Sequence, residues 1–191
     1  MNPTVTQVLE VIVANRERFE AFCMSLTEEE QMRPVPGSTW VVKDFASHLA
    51  TLDTFFTRHT SSLADGGQID MTRDADGTAF DLDAWNDGQV AERRAWTMRR
   101  IFDGAATNRA ALIEVLRSLS DEALDRTMHF SDPKRGTGDF PLKLFLVGWA
   151  QHDPIHAADM LKALPTQAED PEIKAWIANP FVSGYQKAMS V

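Results

Sequence analysis

The chain has almost nothing with which to staple itself. Cys23 is the single cysteine among 191 residues, which excludes an intrachain disulfide and a cysteine-rich zinc site. Set among Phe19, Phe22 and Leu26, it reads as a small buried apolar residue. Positive charge is also scarce: 28 acids stand against 19 lysines and arginines, for a net charge of −9. Binding nucleic acid relies on neutralising phosphates and needs the opposite balance, so no nucleic-acid partner is expected. No run approaches the ~18 consecutive apolar residues of a membrane span, so no membrane partner is expected either. The opening residues lack a basic start, and Gln7, Glu10 and Asn15 interrupt their apolar character, unlike a signal peptide. The expected setting is cytoplasmic. Repeats and convincing strand signals are missing as well.

What is present is helical periodicity, in a chain long enough for one domain with a sizeable core. Val5, Val8, Leu9, Ile12, Phe19 and Phe22 recur mostly at three- and four-residue steps and predict a first long helix over 4–25. Thr27 and Glu30 form a capping-box pattern that opens a short helical turn. The prolines and glycine of 33–39 then stop the chain. A second long helix over 40–63 carries Val41, Phe45, Leu49, Leu52, Phe55 and Phe56 on its inner stripe. A third is expected over 83–119, with a break near Gly104, and a fourth over 140–164 after a loop at 131–140. The tail holds one short helix after Asp170-Pro171, a cap followed by proline in the first turn.

Residues 64–82 are polar, glycine-rich and without period, too long for a tight hairpin. They are long enough to cross a helix of about 33 Å, which lets the second and third helices run parallel and the second and fourth antiparallel. The expectation is an all-α protein, a four-helix bundle with a long crossover between helices 2 and 3. Residues 1–164 form the bundle, and 165–191 form a C-terminal extension packed on it or at a dimer interface.

Three histidines fall on inner stripes. His48 lies three residues after Phe45 and four before Leu52, while His152 and His156 share a stripe with Phe145, Trp149 and Met160. His48 is about as far from the start of its helix as His156 is from the end of its own, so an antiparallel pair brings them to one level. Two histidines at i and i+4 plus a third from a facing helix can hold one divalent ion and leave positions open. The alternative is three core histidines bonded to backbone or carboxylate groups. Pro154 leaves two further readings open: a kink inside the helix, or a new helix capped by Asp153 that displaces His152. His59 reads as partly exposed and His129 as a loop residue.

The run Trp40-Val41-Val42-Lys43-Asp44-Phe45-Ala46-Ser47-His48-Leu49, followed far downstream by His152-Asp153-Pro154-Ile155-His156, resembles the DinB/YfiT-like superfamily of metal-binding four-helix bundles. That group includes mycothiol-dependent maleylpyruvate isomerase and bacillithiol S-transferases. Residues 82–87 and 121–124 also look like segments of its members, and the likeness spans about residues 5–164. The resemblance implies that His48, His152 and His156 are the metal ligands, with zinc or nickel first among the metals and iron(II) or cobalt next. It implies thiol chemistry with a small-molecule substrate: an S-transferase or isomerase using a low-molecular-weight thiol such as mycothiol, bacillithiol or glutathione. Isomerases of the group have glutamate where His152 stands, so the all-histidine set is more similar to the DinB and S-transferase branch. Val41 replaces the usual capping serine, and Pro154 is a second departure.

Other constellations are weaker. His152-Asp153-Pro154-Ile155-His156 invites comparison with the His-Glu-x-x-His of zinc proteases, but aspartate is a methylene short and proline is hostile to that helix. Asp153 and Asp159 are candidate acid–base residues or orienters of a ligand histidine. Asp74-Ala75-Asp76-Gly77 lacks the glutamate that closes a calcium loop. Arg93, Arg94, Arg99 and Arg100 cluster around Trp96; Arg93 and Arg100 are candidates for holding an acidic cofactor, set against a solvated ion-pair face. Trp149, one turn before His152, is the aromatic placed to touch a ligand. Trp176, Ile177, Phe181 and Tyr185 in the tail either seal the bundle or form a homodimer contact. Besides the thiol enzyme, a metal-dependent hydrolase and a non-catalytic metal- or ligand-binding stress-response bundle remain open.

Overall fold

Capping chemistry sets most helix boundaries. The computed structural model describes residues 4–64, 69–70, 73, 76–132 and 136–188, with backbone alone for 58–64, 69–70, 130, 132 and 188. Helix α1 (Val5–Ser25) starts where Thr4 accepts from the Gln7 backbone N–H and Gln7 reaches back to the Thr4 N–H. Thr27 and Glu30 do the same for the short α2 (Glu28–Gln31). Helix α3 (Val42–Ala64) follows the Val41 position, where no hydroxyl is available. Asp44 supplies the other half of the box, accepting from the Val41 N–H at 3.1 Å.

The long third helix is two helices. Asp81 caps α4 (Leu82–Arg93) by accepting from Asp83 and Ala84, and Thr97 caps α5 (Met98–Arg117) by accepting from Arg100. The break falls at 94–97 and not at Gly104, because a side chain able to take the freed N–H groups stands at Thr97. Gly104 continues α5.

The loop expected at 131–140 is part of a small sheet. Strand β1 (Ile69–Asp70) pairs in parallel with β2 (Thr127–Asp132), which pairs antiparallel with β3 (Gly136–Pro141) from Thr127↔Pro141 to Asp132↔Gly136. Strand β3, with two glycines in its first three residues, has no alternating apolar pattern, so cross-strand pairing holds it rather than a buried face. His129 is therefore a strand residue, its Nδ1 2.7 Å from Asp139 on the facing strand. Asp74 and Ala75 of the acidic loop, and the side chain of His59, lie outside what is described.

The fourth bundle element is α6 (Leu142–Trp149) followed by α7 (His152–Leu161). The break comes at Ala150–Gln151, one turn before Pro154, so the proline sits in the first turn of α7 and both His152 and His156 stay on one helix. Proline cannot donate to the carbonyl four residues back, that of Ala150. The Asn15 side-chain amide takes that place at 2.6 Å, and its oxygen accepts from the Trp176 indole N–H at 2.9 Å. Trp176 lies on α8 (Pro171–Ile177), capped by Asp170 with Pro171 at its first position; α9 (Pro180–Ala188) follows, giving the tail two helices where one was expected.

Hydrogen bonds give the directions. Lys43 at the start of α3 reaches the Arg94 and Trp96 carbonyls just before α5, and Asp53 further along α3 meets Arg109 further along α5. These helices are parallel, so the segment between α3 and α4 is the crossover. Phe45 neighbours His156 while Phe56 stacks on Trp149, so α3 runs antiparallel to α6–α7. The bundle core divides into two main clusters: one holds Phe19, Phe45, Leu49, Ile101, Phe102 and Met160, the other Ile12, Phe56, Leu112, Leu116, Leu146 and Trp149. No helix among the described residues is long and apolar enough to cross a membrane.

Replacing Asn15 with alanine leaves a buried carbonyl and a buried indole N–H without partners. The expected loss is about 2–3 kcal/mol in chemical denaturation, and a change below about 0.5 kcal/mol would mean the proline break does not depend on this amide.

Candidate functional site

A cleft of about 640 Å³ opens between α3, α4, α6–α7 and the tail. Trp40, Phe45, Phe56 and Trp149 wall it, His48, His152 and His156 line its floor, and Asp159, Lys162 and Tyr185 stand on the α7 and tail side. The three imidazoles adjoin: ring centroids lie 5.1 Å apart for His48 and His156, and 5.4 Å apart for His152 and His156. Two imidazoles on a tetrahedral ion, with metal–nitrogen bonds of about 2.1 Å, have centroids about 5 Å apart. The spacing therefore suits a shared ion, and so do the donors: His152 Nδ1 and His156 Nε2 are buried and have no hydrogen-bond partner. The set of three is less prepared. Among the described residues no group of three or more His, Cys, Asp or Glu side chains converges well enough to hold an ion as it stands. The residues fit a metal in kind, and the His48–His156 and His152–His156 spacings suit one; ligation by all three requires the set to rearrange.

Two environments tune the cluster. Burial, reinforced by the neighbouring His156 and His48 and by the Arg109 and Arg16 charges, pushes His152 well below the usual histidine range, which keeps it a neutral ligand-type imidazole. His156 Nδ1 lies 3.2 Å from Asp159 Oδ2, whose other oxygen accepts from Lys162 at 2.7 Å. Burial pushes the Asp159 carboxyl up, but the bonds from His156 and Lys162 outweigh it and hold the carboxyl below its ordinary value. An ionised Asp159 selects the tautomer with hydrogen on Nδ1 and leaves the Nε2 lone pair for another partner.

Asp153, beside His152, faces the bundle interior instead of the cleft. Arg16 holds it with a two-pronged pair, Nε at 3.0 Å and Nη2 at 2.9 Å, and Arg109 Nη2 lies 3.8 Å away. Arg109 Nε donates to Asp53 at 2.7 Å, and Arg16 Nη1 lies 3.8 Å from the same carboxylate. Burial alone would raise the Asp153 carboxyl, yet the Arg16 and Arg109 charges and the Arg16 hydrogen bond bring it below the usual range. Burial pushes the Asp53 carboxyl up, and Arg109 and Arg16 only partly offset this. Arg16 Nη2 also donates to the Leu49 carbonyl at 3.3 Å, and the Asn108 amide donates to the Ala50 carbonyl at 3.0 Å.

Sequence reasoning missed Arg16, Asp53 and Arg109. Each stands four residues after and three before a buried apolar residue: Ile12 and Phe19, Leu49 and Phe56, Ala105 and Leu112. One lone charge on each of these three inner stripes, two arginines and an aspartate that Asp153 completes to two of either sign, was the available signal. Of the other candidates, Trp149 meets the cluster, its ring 4.4 Å from that of His152. Arg93 and Arg100 do not; they stack over Trp96 at 5.1 Å and 4.2 Å, away from the cleft walls.

The DinB superfamily family model matches residues 11–160. The chain belongs to the DinB superfamily. Two solved structures resemble this DinB-superfamily chain: mycothiol-dependent maleylpyruvate isomerase, 14% identical, and a histidine-to-alanine mutant of that isomerase, 12% identical. Both have a TM-score of 0.63 and cover 92% of this chain and 68% of the other, a likeness of fold. No curated protein sequence matches.

Asp153→Leu strands two buried guanidinium groups beside one carboxylate. The expected cost is about 3–5 kcal/mol by denaturant titration, against almost none for Arg117→Ala, which removes a surface pair with Glu114. Equal effects would show that the interior charges are as well solvated as the surface pair.

Proposed function

We propose that this chain is a metal-dependent enzyme of thiol chemistry, a low-molecular-weight-thiol S-transferase or isomerase, with His48, His152 and His156 holding a divalent metal. The observation that carries the reading is the meeting of three imidazoles at the floor of an open cleft, two of them with buried unpartnered nitrogens. Space above the cluster favours an enzyme over a non-catalytic binding bundle, in which bulky side chains would fill it. Zinc or nickel suits the all-nitrogen set, with iron(II) or cobalt next. The metal, when bound, makes a coordinated thiol or water acidic near neutral pH.

The chain's own groups do the rest. Asp159 fixes the tautomer and direction of His156, and the bonds from His156 and Lys162 together keep Asp159 ionised against its burial. Trp40, Phe45, Phe56 and Trp149 exclude water from the reacting group and offer apolar walls to a small-molecule substrate. No cysteine faces the cleft, since Cys23 is buried in the core, so the thiol comes from the cofactor. The likeness to mycothiol-dependent maleylpyruvate isomerase makes mycothiol the first thiol to try. Residues 1–164 act as the bundle, and 165–191 as an extension that closes one side of the cleft through Tyr185, 6.3 Å from His156.

The test is metal content per chain, by elemental analysis of protein purified without chelating resin. About one equivalent is expected in the wild type, lost in His156→Ala, with affinity weakened about 10–100-fold in Asp159→Asn. Thiol-transfer assays with mycothiol, bacillithiol and glutathione then follow. A wild type that takes up no zinc, nickel, iron(II) or cobalt would make the histidines core residues and end the reading.

A further inference from the structure

We propose that Arg16 is the positioning residue of the histidine cluster: one guanidinium on α1, which carries none of the three histidines, fixes the gap between the two helices that do. The inference rests on the reading that the histidines form one ligating set. Its basis is where the bonds land. Arg16 Nη2 donates to the carbonyl of Leu49, the residue after His48, at 3.3 Å. Arg16 Nε and Nη2 also donate to the carboxylate of Asp153, the residue after His152, at 3.0 and 2.9 Å. Each anchor is one residue from a histidine and lies within a helix, so the rigid backbone passes any displacement on to the imidazole.

The guanidinium is planar and its donors are fixed in a fork, so the two anchors cannot drift apart while both bonds hold. The other half of the charge layer lacks this geometry. Arg109 grips α3 through Asp53 at 2.7 Å, but its approach to Asp153 is 3.8 Å. It balances charge without tying the two histidine helices together. The neighbouring Asn15 strengthens the case, holding the Ala150 carbonyl two residues before His152. Asn15 and Arg16 thus seat the start of α7 from one point on α1.

The experiment compares Arg16→Lys with Arg109→Lys, both of which keep the charge and lose the fork. The first readout is cobalt(II) affinity together with the visible absorption of the cobalt-loaded protein. The second needs no metal: NMR contacts between the His48 and His156 ring protons in metal-free protein. Arg16→Lys is expected to weaken cobalt binding about 10–100-fold, alter the spectrum and lose the ring contacts. Arg109→Lys is expected to keep the spectrum, the ring contacts and an affinity within about threefold of wild type, whatever stability it loses. The proposal is overturned if Arg16→Lys keeps the ring contacts, or if both variants change affinity and contacts in proportion to their loss of stability. A wild type that binds no cobalt but loses its ring contacts only in Arg16→Lys would sink the metal reading and leave the positioning role standing.

Discussion

Two arginines and two aspartates meet where a bundle core would ordinarily be oily. Arg16, Asp53, Arg109 and Asp153 come one from each of the four long elements, and their side chains are nearly or fully withdrawn from solvent. Each charge alone is costly to bury, and the set is tolerable only when all four helices present their members at one level. Apolar side chains tolerate sliding by a turn; this layer does not. It lies between the two main apolar clusters and sets the register for both. Because Leu49 and Asp153 are among its contacts, the register it enforces is also that of His48 against His152.

The histidine cluster sits between unlike neighbours. Toward the interior, burial first, then the neighbouring imidazoles and the guanidinium groups behind them, keeps His152 neutral. Toward solvent are Asp159 and Lys162, a carboxylate and its keeper, which address a specific nitrogen of His156. Aromatic rings close the sides: His48 lies 5.1 Å from Trp40, and His156 lies 5.6 Å from Phe45. His152, held neutral and with its Nδ1 unpartnered, is in the protonation state that ligation needs.

Much of this was legible in the sequence, and the reasons are local. Periodic apolar stripes marked the long helices, and the aperiodic run after α3 marked the crossover. Counting residues from helix ends placed His48 opposite His156, and their rings lie 5.1 Å apart. Pro154 could be read two ways because the carbonyl it leaves without a backbone donor is met by Asn15, 139 positions before the proline in the numbering, and no local pattern reports a distant amide. The pairing of β2 and β3 was hidden because the lone strand-favouring threonine at 136–138 stands between two glycines, which break any alternating pattern. Arg16, Asp53 and Arg109 were written on the inner stripes. Read one helix at a time each is an isolated charge, and only the four together balance.

The span of that charge layer along the chain has a consequence for the order in which the molecule can form. Arg16 and Asp153 are separated by 137 positions, and three of the four charges precede the fourth by more than forty residues. During synthesis α1, α3 and α5 leave the ribosome with a surplus guanidinium that no earlier residue neutralises. Three helices can gather, but they cannot close dry around an unbalanced cation. Closure waits for α7, the element that carries both the last counter-charge and two of the three histidines. The helix that balances the interior charge is therefore also the one that completes the histidine cluster.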